Sequence, residues 1–523
     1  MDALLGYTGL VGSTLRENLS PDTTEYFNRS NFNNVTGRKF RDVYCACITG
    51  IKWWSNVHPI EDEENMVKIL ATVKSISCNR FILISTIDVH DINYMNQTEA
   101  CERTAREIYG YHRKFAEDSL RSHFGKKLYI FRLPTLFGMG IKENNLFYDF
   151  LNRRSIDKIN VNTCLQWYSL SWLTEDIRES LLEGRPVTNL YSEPIETKDI
   201  VEKFFPECRM FVGYGPEIFY NQGSVFGLKT REDIFESMEN YIRIMKYITQ
   251  PNRMVISNMA WNPINDDHAI FLMNRYGINN VNVVPTKYGS WDTLFSSMND
   301  VPAFVEKFHQ HGIRIHGFQS VLCGVPGDFS SNHVSITNHL EKVMDLCRRV
   351  DGSVIIVSSP SKRFCKNSFE KIADVLSTVQ CGNDIKVCLE PNSTEYGCNV
   401  GTTLSDCMSL VDFAKSRSVD GIGFYVNFDT GNRMLENDRL PRMSDDDRLP
   451  RMSDDIGHCQ VSAPFLRGMR QWDYHAFESD GTLDFFRETD DDIKVCLEVS
   501  KVSIMNLGNQ ISRFVNFMSK SMI

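Results

Sequence analysis

The seven residues Asp384-Ile385-Lys386-Val387-Cys388-Leu389-Glu390 return unchanged as Asp492-Ile493-Lys494-Val495-Cys496-Leu497-Glu498. In each copy a short apolar run is bounded by polar residues and closes on a carboxylate. That pattern predicts a strand covered on both faces, as in a parallel sheet. Two such strands running the same way in one sheet bring both glutamates out at the same end.

The surrounding sequence supplies the rest of such a sheet. After a helix-like stretch at 232–249, strand patterns recur at 253–259, 281–285, 314–320, 353–358, 385–390, 421–429, 457–461 and 493–498, with helical or loop sequence between them. Eight βα units in this span predict a closed (β/α)8 TIM barrel, whose chemistry gathers at the C-terminal strand ends. Those ends offer Trp261, Thr286 and Lys287, Gln319, the run from Ser358 to Arg363, Glu390, Asp429, Gln460 and Glu498. Three carboxylates at one pole repel, and their pKa values rise. A hard divalent cation relieves this, and oxygen-rich sites suit Mg²⁺ or Mn²⁺. Lys287 and Arg363 are candidates to hold a phosphate or carboxylate; solvated loop cations are the alternative.

This ordered set resembles the xylose-isomerase-like barrel superfamily of sugar isomerases and epimerases. The resemblance covers 225–523. It rests on Leu389-Glu390-Pro391-Asn392, Asn427-Phe428-Asp429-Thr430-Gly431-Asn432, Gly457-His458-Cys459-Gln460-Val461-Ser462-Ala463-Pro464 and Cys496-Leu497-Glu498. It implies a metal set of Glu390, Asp429, Gln460 and Glu498, with glutamine where the family has histidine. It also implies that Gln319 lies on the substrate. The implied chemistry is proton transfer beside a carbonyl through an enediolate, with Glu390 and Glu498 as the acid/base pair. His458, two residues before Gln460, reads as a core histidine.

The N-terminal third follows another pattern. A minimal strand at 2–5 leads into Gly6-Tyr7-Thr8-Gly9-Leu10-Val11-Gly12, and a helix begins near Ser13. Glycines there permit a tight turn and close backbone approach, and a helix N-terminus offers N–H groups to a pyrophosphate. An ordinary βα turn is the alternative. Further strands are expected at 24–27, 43–48, 80–85 and 128–133. The order of motifs resembles the extended short-chain dehydrogenase/reductases, the NAD(P)-dependent sugar epimerases and dehydratases, over about 1–209. Gly6, Gly9 and Gly12 match the family's glycine turn, with Thr8 inside it. Thr86 matches its catalytic Ser/Thr, and Tyr109 and Arg113 match its Tyr-x-x-x-Lys pair. Arg132-Leu133-Pro134 through Gly138-Met139-Gly140 and Trp167–Trp172 continue the likeness. The resemblance implies NAD or NADP as cofactor. Arg113 keeps the family lysine's charge but does not titrate usefully, and its fork sits differently. Arg29, just past the second strand, could meet a 2′-phosphate or be a solvated surface arginine.

With 523 residues, two or more domains are expected. The net charge of −10 argues against nucleic acid as a partner. No stretch reaches the about 18 apolar residues a membrane helix needs, and the start lacks a basic leader, so a cytoplasmic protein is expected. Fifteen cysteines occur without a Cys-x-x-Cys spacing, which suggests buried reduced thiols. A tandem Asp-Arg-Leu-Pro-Arg-Met-Ser-Asp-Asp between strands six and seven reads as a mixed-charge loop.

The expectation is therefore an α/β chain: an N-terminal Rossmann-like NAD(P)-binding domain at 1–209, a linker at 210–224 and a TIM barrel at 225–523. The expected function is metal-dependent isomerisation or epimerisation of a sugar or polyol. Two alternatives stand beside it. One is an NAD(P)-dependent sugar-nucleotide epimerase or reductase with the barrel as a binding module. The other is a non-catalytic scaffold of two decayed enzyme domains.

Overall fold

Ala3 and Leu5 enter one apolar cluster with Val43, Phe81, Leu83 and Ile130, whereas Leu4 enters another with Ile82 and Phe131. A strand whose successive side chains fill two different cores is covered on both faces, the condition for a parallel doubly wound sheet. The computed structural model bears this out. It describes all residues except 92–96, 222, 225–226, 250–252, 297–300, 330, 359–367, 380–383, 418–422, 432–454, 463–481, 489–492, 500–503 and 521–523. The chain divides into two units, Met1–Met245 and Lys246–Ile523.

In the first unit the strands are β1 Asp2–Leu5, β2 Thr24–Phe27, β3 Lys39–Cys45, β4 Ser77–Thr86, β5 Leu128–Leu133, β6 Thr135–Phe137, β7 Thr163–Ser169, β8 Val187–Asn189, β9 Pro194–Glu196 and β10 Ile218–Phe219. Six of them form a parallel sheet in the order β2-β1-β3-β4-β5-β8. The order reverses at β1/β3, and Rossmann-like sheets bind ligands outside the strand ends at that switch point. The full Rossmann order 3-2-1-4-5-6 has one more strand beyond β2; this sheet ends on β2. A smaller sheet runs β10-β7-β6, with β9 antiparallel to β7.

The helix Arg231–Ile248 departs from expectation. Its sequence reads as a lead-in to the barrel, but Ile234, Met238, Tyr241 and Ile242 complete the core of the first unit. The division accordingly falls after Met245 rather than at 210–224. The apolar stripe is the same whichever core receives it, so periodicity alone assigns it to neither.

The second unit is a closed parallel barrel of β11 Met254–Ser257, β12 Asn280–Val283, β13 Arg314–Phe318, β14 Val354–Val357, β15 Lys386–Leu389, β16 Phe424–Asp429, β17 Ile456–Val461 and β18 Val495–Leu497. β18 closes onto β11 through Met254↔Val495, Val255↔Cys496 and Ile256↔Leu497. The two heptapeptide copies supply the fifth and eighth strands. Each glutamate follows its strand directly, with Glu390 N donating to Val357 O (3.2 Å) and Glu498 N to Val461 O (3.0 Å). Between β16 and β17 the register shifts at Val426/Asn427. Because the shift precedes His458, that residue and Gln460 stay on one face of β17.

Candidate functional site

In the first unit, the turn after β1 is built on glycine at two close approaches. Gly6 has φ +85°, and a Cβ there would stand 2.5 Å from Ala46 O; a Cβ on Gly12 would stand 2.0 Å from Gly6 O. The backbone thereby folds tightly against the end of β3, with Thr8 and Gly9 exposed. The helix Leu10–Asn18 that follows has no side-chain cap and no acidic residue in its first turn. Its leading N–H groups and positive dipole end are left for an anion. Arg29 is exposed, two residues beyond β2.

Tyr109 and Arg113 stand one turn apart on the helix Ile108–Phe124, and both are buried. The guanidinium lies 4.8 Å from the centre of the Tyr109 ring. One more turn on, Glu117 is fully buried, but it is already taken. Arg132 meets it at 3.0 and 2.8 Å, Arg103 at 3.1 Å and Ser85 Oγ at 2.7 Å. Arg113 is therefore left over: at 4% exposure, its Nη1 and Nη2 find no acceptor among the described residues. Its charge reaches Cys45 and Cys47, at and just past the end of β3. Their sulfurs are 3.6 Å apart, and the Cys45 thiol is lowered first by its bond to Cys47 and secondarily by Arg113. A buried cation without a partner costs several kcal/mol. The site thus presents a glycine cradle, open helix N–H groups and an unanswered buried guanidinium, and these fit a dinucleotide's phosphate and ribose oxygens.

Thr86 is anchored. Its Oγ1 donates to Asp88 (2.9 Å), and Asp88 in turn meets Lys52 Nζ at 2.8 Å. Lys52 also binds Glu107 at 2.8 Å, just before the helix that carries Tyr109, and Asn56 Oδ1 accepts from Tyr109 N at 3.0 Å. Sequence reasoning missed Lys52, Asn56 and Glu107. No spacing marks them, because they come from an adjoining helix and a loop.

In the barrel, the strand ends bring Glu390, Asp429 and Glu498 to one mouth. All three carboxylates act on Tyr396, whose phenol is pushed up to about 12 by burial first and by them next. Below the mouth lies a polar interior. His316 and His458 stack with ring centres 5.7 Å apart. Burial pushes His316 down to about 3 and His458 well below its ordinary value, so both are neutral. A neutral His458 that accepts from Asn282 Nδ2 at Nε2 (3.0 Å) must donate from Nδ1 to Asn427 Oδ1 (2.8 Å). That fixes the Asn427 amide. Its Nδ2 donates to Glu390 Oε2 (3.3 Å) and to Gln460 Oε1, and Gln460 Nε2 then donates to Glu498 Oε2. The bonds run one way from the barrel interior to the two glutamates.

This relay bears on the metal set implied by the sequence. Gln460 Oε1, the atom by which glutamine would ligate, accepts one hydrogen bond, from Asn427. Among the described residues no group of three or more His, Cys, Asp or Glu is placed to hold a metal ion. Glu390, Asp429, Gln460 and Glu498 share the mouth without forming a coordination sphere, and the carboxylates are answered by amide and hydroxyl donors. Ser462 Oγ serves Asp429 at 2.8 Å, and Asn392 Nδ2 serves Glu390 at 3.3 Å. Glu498, partly buried, is raised to about 8, by burial first and Asp429 next, with Gln319 and Gln460 pulling the other way.

Gln319 lies at the mouth, with its side chain hydrogen-bonded to Glu498. Lys287 is turned to the backbone. Its three N–H donors go to the carbonyls of Asn258 (2.6 Å), Met259 (3.2 Å) and Trp261 (2.6 Å), which ties down the segment after β11. Arg363, Asn432 and all but the last residue of the tandem segment lie outside the described residues. No helix among the described residues is long and apolar enough to cross a membrane.

No family model matches the chain, and no curated protein does. Solved structures similar to it include 3-keto-D-glucoside 4-epimerase from E. coli, at 15% identity over 50% of this chain and 98% of that one, TM-score 0.37. MoeE5 in complex with UDP-glucose and NAD shares 13% identity over 47% of this chain and 98% of that one, TM-score 0.38. The dTDP-4-dehydrorhamnose reductase of Yersinia enterocolitica shares 12% over 46% and 98%, TM-score 0.37. The fold assignment rests on the strand orders described above rather than on these likenesses.

Proposed function

We propose that the first unit binds NAD or NADP and that the chain is an NAD(P)-dependent epimerase or reductase of a sugar or sugar nucleotide, with the barrel as its sugar-binding module. The observation that carries this reading is Arg113, a buried guanidinium with two unpartnered Nη groups, stacked on Tyr109 and close to Cys45 and Cys47, beside the glycine turn.

The nicotinamide, when bound, supplies hydride exchange with a sugar carbon. The chain's own residues do the rest. The Gly6–Gly12 turn and the first N–H groups of the helix Leu10–Asn18 hold phosphate oxygens. Arg113 donates from Nη1 and Nη2 to ribose or phosphate oxygens. It stays protonated throughout, so it positions and never relays a proton. Tyr109 Oη exchanges the proton with the reacting sugar oxygen, as general acid or base. Thr86, held by Asp88 and Lys52, orients that oxygen from the end of β4. Charge-assisted bonds from Arg113 are worth about 1.5–3 kcal/mol, which stabilises the bound state where a lysine would have done so as a point charge.

The reading is tested by incubating the full chain with NAD⁺ or NADP⁺ and with UDP-glucose or UDP-N-acetylglucosamine, and following epimerised or reduced product by NMR. Tyr109→Phe is expected to lower turnover by about 10²-fold or more while nucleotide affinity is kept. Unchanged turnover in Tyr109→Phe would overturn the assignment.

A further inference from the structure

We infer that Cys45 and Cys47 are a redox-active dithiol, which a small hydroperoxide closes to an intrachain disulfide, and that closure loosens the glycine turn packed on Ala46. The inference concerns the backbone of the first unit and does not rest on nucleotide binding.

The two thiols share one side of the sheet. Alternate residues of a strand point the same way, and Cys45 ends β3 with Cys47 two residues on. Both meet the same apolar cluster, which Ala116 and Leu120 of the helix Ile108–Phe124 also enter. Their sulfurs stand 3.6 Å apart. Cys45 is fully buried and Cys47 half-buried, so the pair admits a small oxidant and shields Cys45 from a bulky one.

The same helix carries Arg113. It is 4% exposed, and its Nη1 and Nη2 have no acceptor among the described residues. Its charge acts on both sulfurs. A buried cation favours an anion beside it, and the thiolate rather than the thiol is the nucleophile. The bond between the two thiols makes them unequal. It is the first cause that holds Cys45 below its ordinary value and the first that pushes Cys47 well above. Cys45 is thus the attacking sulfur, and Cys47 keeps its proton for the second step.

The Cys45 thiolate attacks one peroxide oxygen. An S–O bond forms, the O–O bond breaks, and the departing oxygen takes up the proton that Cys45 released. Cys47 Sγ then attacks the Cys45 sulfur. The S–S bond forms, the S–O bond breaks, and the oxygen leaves as water with the Cys47 proton. The dithiol loses two electrons, and hydrogen peroxide is reduced to two waters.

An extended Cys-x-Cys segment holds its Cα atoms about 6.6 Å apart, whereas a disulfide prefers about 5.5–6 Å. Closure therefore bends the backbone at Ala46. Ala46 N donates to Leu5 O at 3.0 Å, and a Cβ on Gly6 would stand 2.5 Å from Ala46 O. The turn has no room there to absorb the bend. A strained disulfide is also readily reduced, so the change is reversible.

The test uses the full chain and hydrogen peroxide. Trypsin cleaves after Arg41 and Lys52 and releases residues 42–52, whose only cysteines are Cys45 and Cys47. After peroxide, unfolding in N-ethylmaleimide and digestion, that peptide should be two hydrogens lighter and unalkylated; dithiothreitol should restore both thiols. Amide exchange in the segment 6–13 should quicken about fivefold in the oxidised chain and return on reduction. Cys47→Ser should stop at a sulfenic acid on Cys45, trapped by dimedone, with turn exchange unchanged. Cys45→Ala should show neither change, which covers the case in which Cys47→Ser does not fold. Arg113→Met should slow closure about threefold or more. Two alkylated thiols after peroxide, pairing with another cysteine, closure without faster turn exchange, or an undiminished rate in Arg113→Met would overturn the inference.

Discussion

Arg113 and Gln460 both depart from the motifs the sequence resembles, and the two departures end differently: Arg113 is left without a partner among the described residues, whereas Gln460 is held by its neighbours. Arg113 lacks a partner because Glu117 is already saturated by Arg132, Arg103 and Ser85. Gln460 is locked between Asn427 and Glu498. Glu498 gives a pH test of that lock. Its ordinary value is 4.5, and the folded chain raises it to about 8. Between those values the folded chain keeps a proton that the unfolded chain has released. Its contribution to stability therefore falls as pH rises through that window and is constant above it. Glu498→Gln, measured by urea denaturation near ~pH 5 and ~pH 8, should gain stability relative to the parent at the higher pH; an equal difference at both pH values would contradict the shift. The convergence of Glu390, Asp429 and Glu498 was legible in the sequence, because strand parity and strand ends fix it. The relay was not. Which way an amide points depends on His458 and Asn282, from strands far apart in the chain, and no local pattern encodes it.

At the scale of elements, the βα turn after β1 is closely packed on itself. Gly12→Ala would push a methyl into Gly6 O, and the turn must open to admit it. The expected cost is about 1–3 kcal/mol in denaturant titration, with nucleotide affinity falling in parallel; a neutral substitution would mean that the turn is looser than described. All eight barrel strands were readable as apolar runs at regular intervals, and the repeated heptapeptide marked the fifth and eighth. The helix Arg231–Ile248 was misread as part of the barrel, since one apolar stripe serves either core equally well. The absent strand beyond β2 follows from the short path between β2 and β3. Only residues 28–38 connect them, a 3-10 turn at Phe32–Val35 among them, which leaves no room for another βα unit.

For the whole molecule, two units with their own cores predict separable ligand effects. In scanning calorimetry, saturating nucleotide should raise the unfolding transition of the first unit, by about 2.7 kcal/mol at a hundredfold excess over Kd. A polyol should act on the barrel transition instead. If a nucleotide shifted only the barrel, the assignment of the glycine turn would fail. The most direct measurement is calorimetric titration of the full chain with NAD⁺ and NADP⁺, beside Arg113→Met. The account predicts stoichiometric binding of at least one nucleotide, weakened about 10–100-fold in the variant, as loss of charge-assisted hydrogen bonds requires. Equal affinity in parent and variant, or no binding of either nucleotide by the parent, would contradict it.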